Sequence, residues 1–254
     1  MDSLLDFTNK TAIITGAANG FGKRLAIELS KRGCNLVLSD INQVGLDDTL
    51  KSLASPDKAC ALMGDVSVEA NSKKLVDLAI SKFGSLNIAV NNAGIAHEMV
   101  PIHELTESIF DSQFAVNVKG VAFGMKYQIP AMLLAGHGHV LNISSLAGLG
   151  GAPKAGAYVA AKHAVTGLTK TAAVEYARYN VQVNAICPFF SPTNIMDVDG
   201  LNTKEARAML AKGSPMKRLG DPQEMVNVML LILSPGNTYM NGQTIAIDGG
   251  VTAW

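Results

Sequence analysis

Tyr158 and Lys162 stand four residues apart in the stretch Tyr158-Val-Ala-Ala-Lys162, and Ser145 lies thirteen positions upstream. On a helix, a spacing of four puts both side chains on one face. The surrounding run, Ala157 to Tyr179, is rich in Ala, Lys, Leu and Glu, has one internal glycine (Gly167) and no proline, and predicts that helix. An ammonium beside a phenol favours the phenolate. A tyrosine begins near pKa ~10, so service as an acid and base at neutral pH requires about 4 kcal/mol of preferential stabilisation of the anion. An isolated pair of this spacing reads first as a tyrosine packed on an amphipathic helix beside a solvated lysine, so its meaning depends on the rest of the chain.

Near the start, Thr11-Ala-Ile-Ile-Thr15 reads as a short buried strand running into Gly16-Ala-Ala-Asn-Gly20-Phe-Gly22. A helix from about Phe21 to Lys31 follows, Gly33 stops it, and Asn35 to Ser39 reads as a second strand. Glycines without side chains allow the loop and the helix N-terminus to present N–H groups to a pyrophosphate. Asp40, at the end of the second strand, is placed to accept hydrogen bonds from both hydroxyls of an adenosine ribose, and its charge would repel a 2′-phosphate. Asn19 and Ile41 hold the neighbouring positions where a cation would neutralise such a phosphate, and Lys23 and Arg24 read as solvated residues of the first helical turn. The expected cofactor is therefore NAD(H) rather than NADP(H).

With these features in place the chain resembles the short-chain dehydrogenase/reductase family over nearly its whole length. Thr15 to Gly22 is similar to that family's TGxxxGxG loop, Asp65-Val66 to its adenine-pocket pair, Asn91-Asn92-Ala93-Gly94 to its NNAG strand end, and Ile247-Asp248-Gly249-Gly250 to its C-terminal signature. Asn117, Ser145, Tyr158 and Lys162 fall at the positions of its catalytic tetrad. The resemblance implies that Tyr158 exchanges a proton with the substrate oxygen while hydride moves between substrate carbon and nicotinamide. It implies that Lys162 also holds the nicotinamide ribose, and that Ser145 bonds the substrate oxygen, with Ser144 as a support. Asn117 would position a water linking Lys162 to solvent; without the resemblance it reads as an ordinary helix-surface amide. The implied cofactor residues are Gly16, Asn19, Gly20, Phe21, Gly22, Asp40, Ile41, Asp65, Val66, Asn92, Ala93, Gly94, Tyr158, Lys162, Pro188 and Thr193.

Two departures stand out. The family has a Pro-Gly pair where this chain has Pro188 followed by Phe189-Phe190, which adds bulk beside the nicotinamide, although Thr193 keeps its spacing from Pro188. Asn87 replaces an aspartate and is expected to remove a charge near the adenine side.

The elements that must position these groups alternate regularly. Strands are expected near 11–15, 35–39, 59–63, 86–90, 138–144, 181–187 and 243–247, each but the last followed by helical sequence, including long helical patterns at about 109–134 and 157–179. Such alternation predicts a seven-stranded parallel sheet with helices on both faces, a doubly wound α/β fold, in one domain spanning 1–254. No linker, repeat or charge block divides it. The motifs all fall at or just after strand ends, on the edge of the sheet where ligands bind.

The segment 189–215 has no strand pattern and carries Ile195, Met196, Val198, Leu201, Met209 and Leu210; it reads as a substrate lid of one or two short helices. With Ser145, Leu146, Phe189, Phe190, Ile195 and Met196 as candidate pocket residues, an apolar secondary alcohol or ketone is expected: an alcohol, diol, alicyclic or steroid. A 3-hydroxy acid or a 3-oxoacyl substrate ranks lower, because only Lys154 and His97 are nearby cations and because Asp40 opposes NADPH. A non-catalytic NAD-binding sensor or scaffold is the alternative of another class, should Phe189 and Phe190 block the substrate position.

Equal numbers of basic and acidic residues, 21 each, give no reason to expect nucleic acid or an anionic membrane as a partner. Cys34, Cys60 and Cys187 lack metal-like spacing and read as free core thiols, and His137-Gly-His139 lacks a third metal ligand. The N-terminal residues have no basic-then-apolar pattern and no stretch is long and apolar enough for a span, so a cytoplasmic location is expected. Small or apolar residues on more than one face of the two long helices, together with the resemblance, predict a homotetramer.

Overall fold

The computed structural model describes residues 3–197, 201 and 203–253. Seven strands form one sheet: β1 (Thr11–Thr15), β2 (Asn35–Asp40), β3 (Ala59–Met63), β4 (Ile88–Asn91), β5 (Gly138–Ile143), β6 (Val181–Pro188) and β7 (Thr244–Ile247). Every pairing is parallel and the order is β3-β2-β1-β4-β5-β6-β7. The chain runs outward from β1 to β3, then returns to place β4 on the other side of β1. The seam between β1 and β4 is thus the topological switch point, where the loops leaving the two strands diverge and open a crevice.

β1 and β6 are buried along their whole lengths because helices cover both faces of the sheet. The two-residue period of a strand sends Ile14 to one face and Ile13 to the other. Ile14 packs with Phe7, Leu25, Leu29, Met229 and Leu233, beneath α1 (Gly20–Lys31) and α8 (Pro222–Leu233). Ile13 packs with Leu75, Val76, Val121, Met125 and Val165, beneath α3 (Glu69–Phe83), α5 (Gly120–Ala135) and α6 (Gly156–Tyr176). α2 (Gln43–Lys51) follows β2, and α8 starts on a capping box formed by Asp221 and Glu224 with Pro222 in its first turn.

The long helical pattern expected at 109–134 is not one regular helix. α4 (Glu107–Phe114) passes into a π-helical turn, Ala115–Lys119, before α5 begins, and Asn117 sits inside that turn. The widened turn accommodates one extra residue, which a continuous apolar pattern conceals. In the expected lid, Asn194–Met196 form a single 3-10 turn and α7 spans Lys204–Gly213; Val198 lies outside the described residues. Among the described residues no helix is long and apolar enough to cross a membrane.

Candidate active site

At the carboxyl ends of the strands the crevice widens into a cavity of about 970 Å³, reaching from Asp40 and Ile41 at one end to Ser145, Tyr158 and Phe190 at the other. Gly16, Asn19, Gly20, Phe21, Asp65, Val66, Asn92, Ala93, Gly94, Leu146, Lys162, Pro188, Phe189, Thr193, Ile195 and Met196 also line it. Of the residues expected from sequence, Gly22 and Asn117 are not on its wall.

The glycine loop is shaped by close approach. Gly16 has φ +65°, and a Cβ there would lie 2.7 Å from Asn92 Nδ2. Gly22 is a packing glycine: its Cβ would stand 2.3 Å from Gly16 O, so it closes the loop on itself from behind. Asn92 fixes the loop from the neighbouring strand, donating to Thr15 O at 2.9 Å and Gly16 O at 3.0 Å. Thr15 returns the contact, its Oγ1 accepting the main-chain N–H groups of Asn92 and Ala93, both at 3.1 Å. Asp40 accepts from Ala18 N at 3.0 Å and from Asn42 N at 3.0 Å, which ties the end of β2 to the loop while leaving carboxylate lone pairs facing the cavity. Lys23, the first cation after the glycine loop, is engaged elsewhere, pairing with Asp48 of α2.

Ser145 follows β5, and its Oγ accepts from Ala147 N at 3.2 Å while also hydrogen-bonding Tyr158. Ser144 points the other way; it is buried and donates to Lys162 O at 3.0 Å, fastening α6 to β5. Lys162 is 3 % exposed, and its Nζ donates to Ile143 O at 2.8 Å. The ammonium lies 5.5 Å from the centroid of the Tyr158 ring. This differs from the sequence expectation of an ammonium that draws the phenol down. Burial pushes the Tyr158 phenol above its ordinary value, opposed by the bond with Ser145, and burial likewise brings Lys162 down to about 8. Helical spacing brought the two side chains together, but the strand-end carbonyl of Ile143 captured the ammonium.

Asn117 uses its side chain to hold the loop after β4: Nδ2 donates to Ile95 O at 2.9 Å and to Gln113 Oε1 at 2.8 Å, and Oδ1 accepts from Ile95 N at 2.9 Å. A Cβ on Gly94 would stand 2.8 Å from Asn117 Oδ1 and 3.5 Å from Lys162 Nζ, so the glycine permits the approach of both. Behind the site, Asn91 bonds Gln128 and Asn142, and Asn142 bonds Thr169, a buried polar network that locks α5 and α6 to β4 and β5.

Phe189 and Phe190 pack edge to face with centroids 4.9 Å apart and form part of the wall of the cavity that Tyr158 also lines. Thr193 faces Gly20 across the cavity, its Cβ 3.6 Å from where a Gly20 Cβ would be. Sequence reasoning did not single out Met99, Leu149, Val251 or Thr252 as pocket-wall residues. Of the two cations expected near the tetrad, His97 lines the cavity and Lys154 does not. Asn87, expected near the adenine side, is instead at the opposite, amino-terminal end of β4, where its Oδ1 accepts from Thr11 N at 2.9 Å.

A parallel doubly wound sheet, a glycine loop beside the Asp40 carboxylate, and a Ser-Tyr-Lys group at the far end of one cavity define a nicotinamide-dependent oxidoreductase. Comparison with known proteins agrees: a family model described as "Enoyl-(Acyl carrier protein) reductase" matches residues 16–252. Cyclohexanol dehydrogenase of Acinetobacter sp. (strain SE19) is 37% identical over 97% of this chain and 96% of its own length. Cis-4-hydroxycyclohexanecarboxylate dehydrogenase of Sinomonas cyclohexanicum is 36% identical over 97% and 98%. The crystal structure of levodione reductase superposes with a TM-score of 0.93 at 32% identity, covering 97% of this chain and 99% of that one. The chain belongs to the short-chain dehydrogenase/reductase family, and it is an enzyme that interconverts a secondary alcohol and a ketone.

Proposed function

We propose that this enzyme oxidises alicyclic secondary alcohols with NAD, and reduces the matching ketones with NADH, using Tyr158 as the acid and base. One observation carries the reading: the Ser145–Tyr158–Lys162 group sits in the same cavity as Asp40 and the glycine loop, walled on the substrate side by Leu146, Leu149, Phe190, Ile195 and Met196. An apolar enclosure with one polar end suits a hydrocarbon ring bearing a single oxygen. Cyclohexanol, the substrate in the name of one relative, has that form; the hydroxycyclohexanecarboxylate in the name of another shares the alicyclic secondary alcohol and adds a carboxylate.

The residues present fit a dinucleotide. Gly16, Gly20 and Phe21 would approach its pyrophosphate, Asp40 and Ile41 its adenosine ribose, Asp65 and Val66 its adenine, and Thr193 its carboxamide. Once bound, the nicotinamide supplies or accepts the hydride. Asp40 without a neighbouring cation supports NAD over NADP, since Asn19 and Ile41 are neutral and Lys23 is paired.

Ser145 would orient the substrate oxygen against the Tyr158 hydroxyl. In ketone reduction the phenol gives its proton to the developing alkoxide; in alcohol oxidation the phenolate takes it back. Because burial raises the phenol, Tyr158 is poised as a donor at neutral pH, and alcohol oxidation should accelerate as pH rises. Lys162 keeps a positive charge below about 8 and holds the nicotinamide ribose. The segment 189–215 would close over the ring as a lid, and α5 and α6 would pair copies of the chain into a homotetramer.

Steady-state rates across cyclic, acyclic, steroid and hydroxy-acid alcohols, each with NAD and with NADP, test the reading. A preference for cyclic alcohols with NAD upholds it; a preference for 3-hydroxy acids or for NADP overturns the corresponding half.

A further inference from the structure

At the amino ends of β4, β5 and β6, on the sheet edge opposite the catalytic cavity, lies a second cavity of about 90 Å³. That is roughly the liquid volume of three waters. Lys10, Asn87, His137, His139, Asn180 and Gln182 supply its polar lining, and no carboxylate is among its walls.

Lys10 Nζ lies 3.2 Å from His137 Nε2, and Asn87 Nδ2 lies 3.3 Å from the same nitrogen. His137 Nδ1 faces Ala135 O at 3.2 Å. The ring therefore carries its hydrogen on Nδ1, and Nε2 accepts from two donors. An ammonium has three hydrogens, and the imidazole satisfies one. Among the described residues Lys10 forms no ion pair.

The carbonyls at the end of α5, which would otherwise attract this cation, are engaged. Leu133 O takes Gly136 N at 3.2 Å, Ala135 O takes the His137 ring, and Gly136 O takes Asn180 Nδ2 at 3.5 Å. His139, 9 % exposed, has a buried Nδ1 with no hydrogen-bond partner. Burial, helped by the nearby Lys10 ammonium, brings this imidazole down to about 4, so it is neutral near pH 7.

A half-buried cation without a counter-charge, ringed by amides and imidazoles in a space of this size, calls for a small anion. We propose that this cavity binds a small oxyanion of the phosphate or sulfate type, held by Lys10 and the donors around it. Sitting where three core strands begin, the bound ion stabilises the fold by mass action and leaves the chemistry at the other edge unchanged.

The test is titration of the whole protein with sodium phosphate, at ionic strength fixed with sodium chloride and with NADH present to fill the nucleotide cleft. Thermal stability and the ring-proton resonance of His139 are read together. The expected result is a saturable rise in Tm with a saturable shift of His139, repeated with sulfate. Lys10→Met and Asn87→Asp should each weaken binding by about tenfold or more. Asn87→Asp keeps the oxygen that accepts Thr11 N, so it should fold and retain alcohol oxidation, while its carboxylate neutralises Lys10. A phosphomonoester binding as well as inorganic phosphate assigns the site to the phosphoryl group of a larger molecule, and binding of the inorganic ion alone assigns free phosphate; either upholds an oxyanion site. A response no greater than that to chloride, or wild-type affinity in both variants, overturns it.

Discussion

His97 Nε2 accepts the main-chain N–H of Tyr158 at 3.4 Å, while its Nδ1 hydrogen points to Glu98 O at 2.6 Å. The first N–H groups of a helix have no partner within the helix, and Ala155 at the start of α6 offers no side chain to cap them. An imidazole from the loop after β4 thus caps the helix that carries Tyr158 and Lys162. His97→Ala is predicted to leave that N–H unpaired and to lower stability by about 1 kcal/mol, roughly 2–4 °C in Tm for a chain of this size, with a fall in kcat. His97→Gln, whose amide oxygen can accept the same bond, should lose less of both; equal losses in the two variants would show that the cap is not what matters. Thermal denaturation and steady-state kinetics make the comparison.

Asp40 is predicted to set cofactor choice. Asp40→Ala removes an acceptor for the ribose hydroxyls and a charge facing a 2′-phosphate, so kcat/KM with NAD should fall by about tenfold or more while that with NADP rises. Part of the NAD loss will come from the loop, because Ala18 N and Asn42 N lose their acceptor. The rise with NADP is therefore the informative half, and an unchanged NADP rate would remove Asp40 from this role.

Stability should fall on acidification through a window set by His139. The folded protein holds this imidazole near 4, against an ordinary value of 6.5. Between those values the unfolded chain binds a proton that the folded chain refuses, so stability decreases as pH falls from about 6.5 to about 4 and is independent of this group below that. The full shift is worth about 3 kcal/mol. His139→Gln should remove that share of the acid slope, seen as urea denaturation curves that converge with wild type at low pH; parallel pH profiles would contradict it.

Gly94→Ala should damage the site without touching a reacting group. Its Cβ would press on Asn117 Oδ1 at 2.8 Å, displacing the amide that holds Ile95, and would crowd Lys162 Nζ. Overpacking of this kind costs about 1–3 kcal/mol, and kcat is predicted to fall more than KM rises.

What could be read from the sequence was what local pattern encodes. Buried β-branched runs marked the strands, glycines marked the loop, and a spacing of four put Tyr158 and Lys162 on one face. What escaped depends on contacts between distant segments. Thr15 and Asn92 clasp the glycine loop across 77 residues, and Asn91, Gln128, Asn142 and Thr169 join two strands to two helices. The π-helical turn at Asn117 was hidden because the apolar pattern continues through it. The capture of Lys162 by Ile143 O required knowing where β5 ends relative to α6. Asn87 was rightly read at the start of β4, but that is the amino-terminal edge of the sheet, away from the adenine side expected for it.

The most direct test of the account compares kcat/KM for cyclohexanol with NAD in wild type and Tyr158→Phe, alongside NADH affinity by fluorescence. Phenylalanine preserves the ring and its packing and removes only the titratable oxygen. The predicted result is a loss of about a hundredfold or more in kcat/KM with NADH affinity unchanged. A loss smaller than about tenfold, in an enzyme that still binds NADH normally, would contradict Tyr158 as the acid and base.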